Sequence, residues 1–333
     1  MTGRQSRVLG SLLGLHAGDS LGAAVEFETH GEIQAKYPNG LRDIVGGGVF
    51  KWAAGQATDD TDMARAVLLA YRERTGPDDD VARLAGEWFL RWKGGIDWPG
   101  RKPGSRPVDI GLATETGLAR YAQTHDPEQA GAGPGQAGNG SLMRCLATGL
   151  LQGDGERRRR ESMRISAITH DDARCTVACA VYNAMVSRLV RRDATTSPGE
   201  AAAAALAEGE AEAARLEAAS PTKPVLAALR HGKHLSMPQL ALHGPPPATL
   251  PGMARGYVLE TLALAVAALR DPRPLPDVLV DVVRVGGDTD TNAAVAGGLL
   301  GARDGHEAIP KPWVDKLQFA SEFRQLVLDM VSD

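Results

Sequence analysis

The chain has 333 residues and a formal net charge of −4, with 43% apolar and only 5% aromatic side chains. That length suits one large domain or two ordinary ones, and the apolar share is enough for a sizeable core. The balance excludes the basic footprint of a nucleic-acid binder, and no uncharged apolar run reaches the roughly 18 residues of a membrane span. Cys145, Cys175 and Cys179, an odd number without a signal peptide ahead of them, fit a reduced cytoplasmic compartment.

Residues 7–22, RVLGSLLGLHAGDSLG, place Gly10, Gly14, Gly18 and Gly22 four apart. On a helix this spacing lines one face with a smooth ridge, at about 1 kcal/mol per glycine relative to alanine. Such a cost predicts a buried central helix that another backbone approaches closely. Asp19, among the glycines, reads as a structural hydrogen-bond partner. Glu26 lies two turns further on if the helix continues, and is a candidate general base.

Residues 59–74 predict a helix with Met63, Val67 and Tyr71 on one face, and 81–92 another. DWPGRKPGSRPVD at 97–109 is a loop, 110–123 is helical, and AGAGPGQAGNGS at 130–141 is too rich in glycine for either regular structure. Residues 143–151 read as helix and 153–160, GDGERRRR, as a surface turn with solvated arginines. Two helices meet near His170, the nearby Cys175 and Cys179 reading as small core residues, and 200–219 is helix by composition. A long loop is expected at 231–252, followed by helices at 254–270, 275–287 and 291–301. Without alternating strand patterns or a repeat, the expectation is an all-α, single compact multi-helix domain of roughly a dozen helices over 1–333.

Two acidic stretches stand at helix starts, QATDDTDMAR (56–65) and VGGDTDTNAA (285–294). One aspartate or threonine suffices to cap a helix. Here Thr58, Asp59, Asp60 and Asp62 crowd one start, and Asp288, Thr289, Asp290 and Thr291 the other. Such carboxylates repel unless a cation neutralises them, and their hard oxygens suit Mg²⁺, Mn²⁺ or Ca²⁺. The two stretches are therefore expected to meet and share two divalent cations, with Gly286 and Gly287 letting the backbone turn sharply into the second. GPGQAGNGSLMR would present free N–H groups to a phosphate. His170, at a helix junction, reads by default as a capped core residue.

The order GDSLGAAVE, TDDTDMA, GNGSLMR, ITHDD, GGDTDTNAAVAGGLLGA resembles the ADP-ribosylglycohydrolase family over roughly residues 7–305. The resemblance implies an all-α fold around a central dinuclear Mg²⁺ or Mn²⁺ site. It puts metal ligands on Thr58, Asp59, Asp60, Asp288, Asp290 and Thr291. A catalytic glutamate falls on Glu26, beside the catalytic aspartates Asp59, Asp60 and Asp290. ADP-ribose would contact Gly135, Gly138, Asn139, Gly140, Ser141 and His170, with Asp109 near the site. Ala137 and Leu112 depart from the aromatic and asparagine residues that some relatives carry there. The implied activity is hydrolysis of ADP-ribose from a modified protein side chain, arginine favoured, by a cytoplasmic monomer. The alternative is an ADP-ribose-binding or immunity protein that counters an ADP-ribosylating toxin.

Overall fold

Thr2 opens the first helix, α1 (Gly3–Gly22), by accepting the N–H of Gln5 at 3.2 Å while the Gln5 side chain takes the N–H of Thr2 at 3.0 Å. The computed structural model describes residues 1–76, 78–245 and 256–332. After α1 come α2 (His30–Lys36), α3 (Asp59–Glu73), α4 (Val81–Gly94), α5 (Leu112–Thr124), α6 (Leu146–Leu151), α7 (Gly155–Ala167) and α8 (Ala173–Val190). The chain continues with α9 (Pro198–Leu216), α10 (Pro224–Gly232), α11 (Met237–His243) and α12 (Val258–Arg270). It ends with α13 (Leu275–Arg284), α14 (Thr289–Asp304), α15 (Lys311–Val314) and α16 (Ala320–Met330). Among the described residues extended structure is limited to three isolated antiparallel bridges. No described helix is long and apolar enough to cross a membrane.

The glycine ridge does what its cost implied. α1 lies antiparallel against α14, and Gly10, Gly14, Gly18 and Gly22 meet the backbone of Gly301, Gly297, Ala293 and Thr289 in turn. A methyl built on Gly10 would come within 2.5 Å of the Gly301 carbonyl oxygen, and one on Gly14, Gly18 or Gly22 would overlap its partner's carbonyl. Gly297 and Gly301 supply the opposing smooth face, so two backbones pack where side chains would normally intervene. The Ser11 hydroxyl donates to Gly298 O (2.8 Å) and the Thr289 hydroxyl to Gly22 O (2.8 Å), which fixes the register. α8, α12 and α13 pack around this pair, and α1 is buried from Val8 onward.

Three regions depart from the sequence expectations, and a fourth lies beyond them. The turn expected at 153–160 is the start of α7, capped by Asp154, which accepts the Arg157 N–H at 2.8 Å. Its arginines are not simply solvated. Arg159 pairs with Glu212 of α9 through two bonds of 2.5 and 2.8 Å, and Arg158 reaches the Ser187 hydroxyl at 3.2 Å. Long guanidinium stems cross half-buried ground to reach such partners. The expected loop at 231–252 contains the end of α10 and all of α11, and its residues 246–252 lie outside the described residues. Residues 306–332, beyond the stretch that carries the resemblance, join the core: Trp313, Phe319 and Phe323 are buried, and both phenylalanines pack on His16. Finally, α1 stops at Gly22, so Glu26 stands in the turn that follows and not on a continued helix.

Candidate active site

Antiparallel packing delivers the C-terminal end of α1 to the N-terminal end of α14. Gly286 and Gly287 take φ of +86° and +81°, a region open to glycine at no steric cost. The Phe27 N–H donates to Gly287 O (2.7 Å) and the Gly287 N–H to Glu28 O (2.8 Å). This exchange lays residues 26–28 beside 286–288. Carboxylate oxygens of Glu26, Asp288 and Asp290 consequently lie within 4.8 Å of one another.

The first acidic stretch arrives on α3. Thr58 caps that helix, accepting the Asp60 N–H at 3.2 Å. Oδ2 of Asp60 accepts from the Thr58 hydroxyl (3.3 Å) and from the Thr291 hydroxyl (3.2 Å). The Thr291 bond joins stretches 231 positions apart, as the doubled pattern implied. Asp19 is the structural partner expected of it: it accepts the N–H groups of Thr58 (3.2 Å) and Thr61 (3.3 Å) and the Thr61 hydroxyl, and so pins the start of α3.

Charge is concentrated here beyond what the protein alone satisfies. Oε2 of Glu26, Oδ1 of Asp60 and Oδ1 of Asp19 are buried without a hydrogen-bond partner. Burial first, then repulsion from Asp109, Asp288 and Asp19, pushes the Glu26 carboxyl up to about 8. The same two causes, burial leading, raise Asp59, Asp60 and Asp290 well above the usual carboxylate range. Burial also raises Asp109 and Asp288. Unpaired buried carboxylate oxygens are costly. Hard oxygens of opposite-facing helix starts, left unpartnered and aimed together, fit hard divalent cations such as Mg²⁺ or Mn²⁺.

Asp62 belongs to the acidic run but not to this cluster. Its two oxygens accept the indole N–H groups of Trp92 and Trp98, each at 3.0 Å. Trp98 sits in the segment between α4 and α5, and Arg65 stacks on its ring at 4.6 Å. Asp62 therefore tethers that loop. Asp62→Ala strands two buried N–H donors, at roughly 1–3 kcal/mol each. The expected result is a clear drop in urea midpoint, with faster proteolysis in 95–111 before elsewhere.

Two clefts open onto the centre. One of about 720 Å³ is bordered by Thr58, Asp59, Asp109, Arg101, Arg106 and Gln318. The other, of about 520 Å³, is bordered by Phe27, Thr29, Gly286, Gly287 and Asp288. A larger cavity of about 790 Å³ lies at Arg303 and Asp304, the far end of α14 and some ~20 Å from the acids at 1.5 Å rise per residue.

The glycine-rich loop closes a third side. Asn139 donates to Asp288 Oδ2 (2.7 Å) and Thr261 Oγ1 (3.0 Å), tying the loop to the acidic centre. Gly135 is placed differently from the sequence expectation of a free donor, since its N–H is spent on Asp172 Oδ2 at 2.8 Å. Gly138 and Gly140 press on the His170 ring: a methyl on Gly140 would stand 2.9 Å from Cε1 and one on Gly138 3.3 Å from Nε2. The Ser141 hydroxyl is turned inward, where it accepts from Ser166 at 2.9 Å. Sequence reasoning does not single out Arg144, Thr169 or Thr261. The arginine closes the quoted GNGSLMR, yet only the fold shows that it turns inward.

A profile of the ADP-ribosylglycohydrolase family matches residues 1–333. The chain is 32% identical over 318 residues to the ADP-ribosyl-(dinitrogen reductase) glycohydrolase of Rhodospirillum rubrum, covering 95% of this chain and 92% of that protein. It is 26% identical over 331 residues to an ADP-ribosylarginine hydrolase of Pseudomonas putida, covering 97% and 77% respectively. A solved structure described as an ADP-ribosylglycohydrolase-related protein complex superposes with a TM-score of 0.76 at 27% identity, over 99% of this chain and 98% of that one. Ordered motifs, an all-helical architecture and a shared acidic centre converge with these matches: the chain belongs to the ADP-ribosylglycohydrolase family.

Proposed function

We propose that this protein hydrolyses the N-glycosidic bond between ADP-ribose and an arginine side chain of a modified protein, at a pair of divalent cations. The observation that supports this most is the convergence of Glu26, Asp288 and Asp290 within 4.8 Å, bonded through Thr291 to Asp60, with carboxylate oxygens left unpartnered. The relatives whose names specify ADP-ribosylarginine and dinitrogen reductase extend the reading to an arginine on a protein. Glu26, Asp60, Asp288 and Asp290 would hold the cations, with Thr58, Asp59 and Thr291 completing the oxygen set. Bound there, divalent cations supply Lewis-acid stabilisation of developing negative charge and a more acidic water.

The chain's own residues do the rest. Glu26 joins the ligand trio, so the proton falls to a carboxyl outside it. Asp109 borders the 720 Å³ cleft beside Asp59, and burial and Asp288 raise its affinity for a proton. It would take the proton of the attacking water and return one to the departing guanidine nitrogen. The acidic floor of that cleft also complements a cationic guanidinium. The glycine-rich loop holds the pyrophosphate and fixes the sugar against the centre.

Incubation with arginine-, serine- and DNA-linked ADP-ribose tests the proposal. Release from the arginine conjugate, abolished by EDTA and restored by Mg²⁺ or Mn²⁺, is the expected result. Undiminished turnover in excess chelator overturns the metal role, and exclusive turnover of another conjugate overturns the substrate.

A further inference from the structure

Arg144 is wholly buried, and every hydrogen-bond acceptor it meets is neutral: Gly140 O at 2.8 Å, Thr169 Oγ1 at 2.6 Å and Ile165 O at 3.4 Å. Its guanidinium lies on the Phe89 ring at 4.6 Å, and its Nε has no partner. Burial pulls it down to about 10, so it is still a cation at neutral pH. A buried charge hydrogen-bonded only to neutral oxygens, with the Asp59 charge nearby but no ion pair, is expensive, and apolar replacement of such a group commonly costs nothing or stabilises. Core packing is therefore a poor reason for an arginine here.

Its two short bonds suggest a better one, because each fixes a donor in the glycine-rich loop's neighbourhood. The Gly140–Ser141 peptide is trans, so its C=O and N–H point in opposite directions. Holding Gly140 O toward the buried guanidinium turns the Ser141 N–H away from it. At the other bond the Thr169 oxygen receives a guanidinium N–H on one lone pair, and its hydroxyl proton is within reach of His170 Nδ1 at 2.7 Å. Nδ1 then accepts, and the ring proton is placed on Nε2, the edge that lies against Gly138 and Gly140. Burial and the nearby Arg144 charge push the imidazole down to about 3, so His170 stays neutral in that one tautomer.

We infer that Arg144 is a positioning residue: one buried guanidinium orients the Ser141 N–H and, through Thr169, the His170 Nε2–H as paired donors for the anionic part of ADP-ribose. This rests on the proposed reading of the loop as the site of the substrate's pyrophosphate. Arg144 need not touch the substrate, and its own charge adds an attractive background for an anion.

Two variants and three readouts test it. Arg144→Met keeps length and removes the donors; Thr169→Val keeps Arg144 and its bond to Gly140 O but removes the hydroxyl that joins the guanidinium to His170. Titration calorimetry with free ADP-ribose is expected to show about a hundredfold weaker binding for Arg144→Met and about tenfold for Thr169→Val, at roughly tenfold per oriented donor lost. Melting temperature should be held or raised in Arg144→Met. Nitrogen-15 shifts of His170 should report the Nε2–H tautomer in the wild type and its loss in Thr169→Val. Wild-type affinity in a folded Arg144→Met, or an unchanged tautomer in Thr169→Val, overturns the positioning role. A wild-type protein that does not bind ADP-ribose sinks the functional reading itself, and this role with it.

Discussion

Asp290→Asn is expected to abolish ADP-ribose release while making the metal-free protein more stable. The two effects have one cause. Asp290 is buried, and its charge is opposed by burial and then by Glu26, Asp60, Asp288 and Asp19. An amide of the same shape removes the repulsion but also the proposed anionic ligand. Turnover should fall by at least about a thousandfold, some 4 kcal/mol of barrier. The metal-free melting temperature should rise by about 2 °C or more, a trade of stability for activity common at functional sites. Proton linkage sharpens the test. Glu26 ordinarily titrates near about 4.3, and here is pushed up to about 8. The folded state therefore binds more protons than the unfolded one across that window, and metal-free stability falls as pH rises through it. Cations hold the carboxylates in their charged form, so the melting-temperature gain on adding Mn²⁺ should grow from pH 5 to pH 8. Asp290→Asn should lose most of that gain. A variant that melts lower than wild type without metal, or keeps its full Mn²⁺ response, contradicts this account.

Gly18→Ala carries the second large effect. The added methyl would overlap the Ala293 carbonyl and stand 2.8 Å from Ala294 N, both backbone atoms of α14. Backbone cannot swing aside as a side chain can, so relief requires parting α1 from α14. The expected loss in urea denaturation is about 3 kcal/mol or more, the upper end of overpacking costs. It should be accompanied by a weaker Mn²⁺ response, because the same separation moves Glu26 from Asp288. Gly31→Ala is the control: it lies in α2, where an added methyl meets nothing within 4 Å. There alanine should stabilise by about 0.5–1 kcal/mol. Equal behaviour of the two substitutions would mean that the ridge is not a close contact.

These positions also show how much was readable beforehand. A glycine every fourth residue through 10, 14, 18 and 22 is legible because no other function explains that cost in a helix. Its partner was not legible, since Gly297 and Gly301 stand alone as ordinary helix glycines until the antiparallel register pairs them. The acidic stretches were legible because each has more caps than a helix start needs. Which acids face inward was not: Asp62, one residue after Thr61 and three after Asp59, turns to two indoles instead. Glu26 was found by position, but its place beside Asp288 was not legible, because that depends on α1 ending at Gly22 and on the Phe27–Gly287 exchange. Arg158, Arg159 and residues 306–332 were misjudged or passed over for a shared reason. Their partners, Glu212 and His16, are distant in sequence, and local composition carries no trace of them.

The central claim is that two helix starts, one on α3 and one on α14, converge to share divalent cations. Diffraction from crystals grown with Mn²⁺, recorded where manganese scatters anomalously, tests it most directly. The account predicts anomalous peaks bounded by Glu26, Asp60, Asp288 and Asp290, with Thr291 still between the two stretches. Saturating Mn²⁺ with no peak among these oxygens, or with Asp60 and Asp290 turned apart, would contradict it.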